Sequence, residues 1–306
     1  MAPAFQRDDL DHVIRTLRVG DPERAFLLAF APRRVRPVMV VLAALDREAG
    51  RILGRVQEPV AAVMRITWWQ EAVDDALAGR PAAQPLLRVL AGLRGHPALA
   101  AAADLKAIFT AREAFLHEDG ALSLADALSR ARATGGLLNR LGAEALLRAG
   151  HGPSSTHRAN WLAAAEDMGT AYQITRYLGG IQREARAGRL WLPGLTAEQR
   201  ARIPARAVFH GPWPAPLTAL LRDLAGGAET LLAAVRERLP TRLPFVARQP
   251  FLLSAYVARD IAALAAADYD PSAARLGRLG AREIMAVWRL YLLGPKAGVR
   301  PEQSEP

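Results

Sequence analysis

Apolar residues recur at spacings of three and four along almost the whole chain, and no long run alternates β-branched with polar residues. That period fits the 3.6-residue turn of a helix and not the two-residue repeat of a strand. The class it implies is all-α. Helices are expected near 8–17, 22–30, 34–55, 57–79, 84–94, 98–118, 123–149, 156–186, 214–239, 246–267 and 276–292. Breaks fall where Gly and Pro interrupt the pattern, as at Gly79-Arg80-Pro81, Gly95-His96-Pro97 and Gly150 to Pro153. No break is long or polar enough to be a linker, so residues 20–294 read as one domain. A 1–19 extension with a short helix precedes it, and a flexible tail, 295–306, follows.

Composition limits the partners. With 306 residues, 51% of them hydrophobic, the chain can bury a sizeable core. It has no cysteine, which excludes a disulfide framework and a thiolate metal site and suits the cytoplasm. The net charge is +10 and comes almost wholly from arginine, because Lys106 and Lys296 are the only lysines. Either arginine-rich coding or an anionic partner such as phosphate or acidic lipid accounts for that. No basic block interleaved with aromatics points to nucleic acid. The acidic N-terminus lacks a signal-peptide core, and no apolar run reaches the roughly 18 residues of a membrane span, so the expectation is a cytoplasmic chain with peripheral contact at the inner membrane as its only membrane option.

Nucleotide-binding glycine loops, His-Glu-x-x-His and Gly-x-Ser-x-Gly are all missing. Carboxylates at i and i+4, the spacing that puts two on one helix face for a hard cation, occur at Glu71 and Asp75 beside Asp74. Solvated acids on a polar face account for them better than a weak Mg²⁺ site does. Of the adjacent Trp68 and Trp69, about 100° apart on a helix, at least one should pack inward.

The stretch "QITRYLGGIQREARAGRLWLPG" (173–194) holds two neighbouring glycines inside a helical pattern. Each costs a helix roughly 1 kcal/mol against alanine, so either another helix or a ligand approaches closely there, or the helix ends. If the helix continues, Arg176, Gly180 and Glu184 share one flank with Gln173 and Arg183.

That stretch resembles the second signature of squalene and phytoene synthases, Gln-Leu-Thr-Asn-Ile-Leu-Arg-Asp-x-x-x-Asp followed by Gly-Arg-x-Tyr-Leu-Pro. Gln173, Thr175, Leu178, Gly188, Arg189, Leu192 and Pro193 match in register. "FAPRRVRPVMVVLAALDREAGRI" resembles the first signature, with Ala44 and Arg47 matching, and "EPVAAVMRITWWQEAVDDALAG" is similar to a Glu-Pro…Trp-Trp-x-Glu-Ala block of bacterial members. The resemblance implies the isoprenoid synthase fold, a helical cup in which two acidic motifs hold Mg²⁺ against the diphosphates of two prenyl substrates. It also shows what has changed. The first motif reads Gly50, Arg51, Ile52, Leu53, Gly54, and the second reads Gly180 and Glu184 in place of two aspartates.

Arg51 at a ligand position opposes a metal, since unit charges about 4 Å apart interact by roughly 4 kcal/mol at an effective dielectric of 20. The expectation is a non-catalytic homologue, a pseudoenzyme without a cofactor, similar to the acid-poor branch that includes respiratory complex I assembly factors. Its cavity residues would be Arg47, Arg51, Tyr172, Gln173, Arg176, Gly180, Arg183, Glu184 and Arg189. They would form a metal-free anion pocket for a prenyl diphosphate or a phospholipid headgroup, and respiratory-complex subunits are the protein partners implied. The rival expectation is an active prenyltransferase with a displaced Mg²⁺ site drawn from Glu71, Asp75 and Glu184.

Overall fold

In a computed structural model of the protein, residues 5–55, 58–113, 115–116, 124–186, 213, 215–274, 276–277 and 279–295 are described. All regular structure among them is helical. The α-helices are α1 (Arg7–Gly20), α2 (Pro22–Leu27), α3 (Arg36–Arg55), α4 (Pro59–Leu77), α5 (Pro85–Gly92), α6 (Ala102–Glu113), α7 (Leu124–Ala131), α8 (Leu137–Arg148), α9 (Arg158–Arg186), α10 (Ala215–Arg238), α11 (Ser254–Ala266) and α12 (Ala281–Leu293). A π-helical turn, Arg132–Gly136, joins α7 to α8, and short 3₁₀ turns cover Leu28–Phe30, Ser155–His157 and Val246–Phe251. None of the described helices is long and apolar enough to cross a membrane. Of the flexible tail expected over 295–306, residues 296–306 lie outside the described residues.

Local chemistry sets the ends. Asp21 caps α2 by accepting the Arg24 amide at 3.1 Å, with Pro22 at the first position, where its missing N–H is no loss. Proline likewise opens α4 and α5. Gly79 (φ 85°) and Gly150 (φ 80°) follow α4 and α8 in the left-handed conformation that suits glycine there. At α12 the Glu283 side chain accepts the Gly280 amide at 2.9 Å.

The longest helix, α9, runs through the middle and packs against α8, α10, α11 and the π turn. Its buried stripe includes Trp161, Met168, Tyr172, Ile174 and Leu178. The Trp161 indole donates to the Ala247 carbonyl at 3.0 Å, tying α9 to the Val246–Phe251 turn. On the other side α3 is buried along Val38–Leu45 and faces α1, α5, α6 and α8. Val13 and Leu17 seat α1 in the same core.

The glycine pair does not end α9, which stays helical to Arg186. Close helix approach does not explain Gly179 either, because a Cβ there would sit at an ordinary 3.5 Å from Leu276. Gly135, Gly136 and Gly169 are glycines that such contact does require. A Cβ on Gly169 would overlap the Gly135 carbonyl oxygen, and one on Gly136 would meet Thr170 Oγ1 at 2.6 Å. These residues let the π turn press backbone to backbone on α9.

Candidate functional site

Between α3 and α8 lies an apolar cup lined by Leu27, Leu28, Met39, Leu42, Ala43, Leu138 and Leu253, with Arg24, Asn139 and Gln249 as its polar groups. Its free volume is about 30 Å³, room for roughly one water. The polar groups are held from behind. Asn139 donates to the Ala165 and Pro250 carbonyls at 2.7 and 3.1 Å, and Gln249 donates to the Leu27 carbonyl at 3.3 Å.

Beside the cup, α2, α9 and α11 bring together a buried charged cluster. Glu23 is fully buried and accepts the Tyr172 hydroxyl at 2.9 Å and the Arg259 guanidinium at 2.7 Å, with Arg176 at 3.5 Å. Arg259 also donates to Asp260 at 2.8 Å, and Asp260 accepts the Gly277 amide at 3.3 Å. Arg24 lies over the Tyr172 ring, 5.3 Å from its centroid, with Asp21 at 3.5 Å. Three guanidinium groups (Arg24, Arg176, Arg259) thus meet three carboxylates (Asp21, Glu23, Asp260), a balance that burial demands.

The titration shifts follow. Burial first, and then the nearby Asp21, push the Tyr172 hydroxyl well above its ordinary range. Burial alone would lower Arg176, but Tyr172, Asp21, Glu23 and Asp260 outweigh it and raise it. Burial holds the Asp260 carboxyl above the usual aspartate value despite Arg259.

A second polar layer joins α3, α6 and α9. Asp46 pairs with the buried Arg112 at 2.5 Å, and Tyr177 sits near both, 3.4 Å from Thr134 of the π turn. Burial raises the Tyr177 hydroxyl while Arg112 pulls it down. Arg112 of α6 thus stands between Asp46 of α3 and Tyr177 of α9, whereas Arg47 and Arg51 of α3 are not brought to Arg176.

Of the expected site residues, Tyr172 and Arg176 stand in the charged cluster, and Gln173 packs against Gly135 of the π turn. Arg47 presses on the backbone of Gly20, where a Cβ would overlap its guanidinium, and its buried Nη1 has no hydrogen-bond acceptor among the described residues, Glu48 being 3.9 Å away. Arg51 donates to Glu48 at 2.7 Å. Gly180 is buried in α9. The side chains of Arg183 and Glu184 lie outside the described residues, as does Arg189.

Magnesium would need several carboxylate oxygens. Gly50, Arg51 and Gly180 supply none at the motif positions, Glu48 is held by Arg51, and no group of three or more His, Asp or Glu among the described residues is arranged to hold a metal. Glu71 and Asp75 are exposed on the outer side of α4, where Asp75 binds Arg80 at 2.7 Å and the neighbouring Asp74 binds Lys106 at 2.8 Å. The opposite side of that helix buries Trp69, stacked on Phe109.

Sequence reasoning missed Asp21, Glu23, Arg259 and Asp260. A signal existed. Glu23 is in register with the buried Leu27 and Phe30, and Asp260 with Tyr256, Val257 and Leu264, so each puts a carboxylate on an apolar helix stripe.

Comparison with known proteins accords with this architecture. A search of curated protein sequences returns no match. Among solved structures, a dehydrosqualene synthase in complex with ligand superposes with a TM-score of 0.71 at 16% identity, covering 93% of this chain and 95% of that one. Squalene synthase HpnC from Alicyclobacillus acidocaldarius gives 0.65 at 18% identity over 87% and 96%. YisP from Bacillus subtilis gives 0.61 at 14% identity over 92% and 96%. These likenesses establish the fold, the all-α isoprenoid synthase architecture. The squalene/phytoene synthase family profile matches residues 17–282. With that match over most of its length, the chain belongs to the squalene/phytoene synthase family.

Proposed function

We propose that this protein binds a prenyl diphosphate in the cup and meets its anionic end with guanidinium groups in place of a magnesium cluster, acting as a binding or assembly factor without turnover. The observation that carries the reading is the pairing of an apolar cup, walled by Arg24, with a cluster in which Glu23 is the internal anion for Arg176 and Arg259. A diphosphate is a stronger acceptor than one carboxylate and would compete with Glu23 for the same donors. A free volume of about 30 Å³ is far below the roughly 300 Å³ of a small-molecule pocket, so binding requires the cup to open. A phospholipid headgroup offers the same phosphate-ester chemistry on an apolar chain. Calorimetric titration with farnesyl diphosphate, with and without EDTA, tests the reading. EDTA-insensitive binding supports it, and binding that appears only with Mg²⁺ overturns it.

The comparisons favour a second reading, an active prenyltransferase with a displaced Mg²⁺ site, because the dehydrosqualene and squalene synthases among the similar structures are named as enzymes. On that reading Glu184 is the residue to test. Mg²⁺-dependent product formation from farnesyl or geranylgeranyl diphosphate, lost in Glu184→Gln, would establish it.

The finer proposal of a respiratory complex I assembly role rests on the Trp68-Trp69-Gln70-Glu71-Ala72 block. The half-exposed Trp68 beside exposed Met64 and Val60 supports a protein contact there. Affinity capture that retrieves no respiratory-complex subunits would remove it.

A further inference from the structure

Large apolar side chains left in solvent are unevenly spread over the molecule. Five of the nine exposed ones among the described residues, Phe245, Met285, Trp288, Leu292 and Leu293, gather at α12 and the chain preceding the Val246–Phe251 turn. They form one surface. Tyr291 contacts Phe245 at 4.0 Å between ring centroids and Trp288 at 6.3 Å, while Met285 and Leu292 lie three before and four after Trp288 on the same helix. At 100° per residue, Met285, Trp288 and Leu292 fall within about 60° of arc, and Arg282 and Arg289 fall alongside that stripe.

The charge on this face has one sign. Arg282, Arg289 and Arg242 are exposed, and neither Arg282 nor Arg289 joins an ion pair among the described residues. The single acid of α12, Glu283, is turned back to cap the helix at Gly280. Arg248 braces the far end, donating to the Tyr291 and Leu292 carbonyls at 2.9 and 2.7 Å beneath Phe245. The face is thus backed by rigid structure on the core side through Val287 and the contact of Phe30 with Trp288, whose ring centroids are 4.9 Å apart.

We infer that this face is a docking surface for an anionic lipid bilayer, with α12 lying along the interface. Aromatic and aliphatic side chains flanked by arginines match the layering of acyl chains beneath acidic headgroups. A second copy is the poorer occupant, because a two-fold contact would set Arg282 and Arg289 against an equally basic face without an acid to offset them. The inference stands apart from the proposed ligand of the cup and survives its failure.

The full chain is tested by co-sedimentation with vesicles of phosphatidylcholine alone and with about one third phosphatidylglycerol, read alongside tryptophan emission. The expected result is binding to the anionic vesicles only, weakened by salt, with a blue shift from Trp288. Met285→Asp combined with Leu292→Asp should weaken partitioning at least tenfold, while Met64→Asp on the exposed side of α4 leaves it unchanged. Arg282→Glu with Arg289→Glu supplies a second route that does not touch apolar packing. Circular dichroism and thermal midpoint confirm that each variant folds. The inference is overturned if the native chain ignores anionic vesicles, if either double variant that folds binds as well as the native chain, or if light scattering shows the face instead holds a dimer that these variants dissolve.

Discussion

The Glu23 carboxylate, fully buried at the start of α2, lies 2.7 Å from the Arg259 guanidinium of α11, so residues 236 apart in sequence share one ion pair in the interior. Tyr172 and Arg176 of α9 complete its surroundings. This carboxylate sets the electrostatic state of the cluster, since its loss leaves the partly buried Arg176 without its carboxylate partner and Arg259 with Asp260 alone. Glu23→Ala should therefore lower stability by about 3 kcal/mol or more in denaturant titration. Glu23→Gln keeps the shape but frees the arginines of their competitor. Inorganic diphosphate should raise the thermal midpoint of Glu23→Gln more than that of the native chain, and an equal response would show that the arginines are not the anion's ligands.

The glycines of the α9 crossing separate two roles. Gly169→Ala drives a methyl into the Gly135 carbonyl, where backbone on both sides cannot yield, and should destabilise by about 1–3 kcal/mol. Gly179→Ala meets only Leu276 at ordinary contact distance and should be neutral or stabilising by up to roughly 1 kcal/mol, the helix-propensity difference. Chemical denaturation of the two variants reads the contrast directly.

A pH test is available at α1. The Arg88 guanidinium grips Asp9 through two hydrogen bonds, 2.8 and 2.5 Å, and holds its carboxyl below the ordinary 3.8. For a lowered acid the folded state binds fewer protons than the unfolded one, so the contribution is complete above the ordinary value and disappears as the pH falls below it through the lowered one. Asp9→Asn should lose on the order of 1 kcal/mol at neutral pH and show a smaller further loss than the native chain below pH 4, as followed by acid unfolding.

The adjacent tryptophans should part company. Trp69→Ala opens the core against Phe109 and should cost about 3–5 kcal/mol, whereas Trp68→Ala removes a half-exposed ring and should cost much less. Asp75→Asn and Glu71→Gln, on the solvent side of the same helix, should leave farnesyl diphosphate binding unchanged in calorimetry.

The sequence by itself determined the helical class and nearly every helix, because period and Gly/Pro punctuation are local properties. The helix expected over 156–186 is α9, Arg158–Arg186, and that over 214–239 is α10. It also determined that aspartate is replaced at the signature positions, with Gly50, Arg51, Gly54 and Gly180 carrying no carboxylate and Glu184 keeping one. Tertiary structure alone decided which charges meet. Arg176 looked like a ligand for an external anion, and the fold gives it Glu23 from 153 residues away. Gly179 stands out in the helical pattern but has only ordinary contacts, whereas the backbone approach to α9 that needs glycine is made by Gly135, Gly136 and Gly169. Spacing along a chain fixes which face of a helix a residue occupies; it does not fix which other face, carried by a distant segment, will be packed against it.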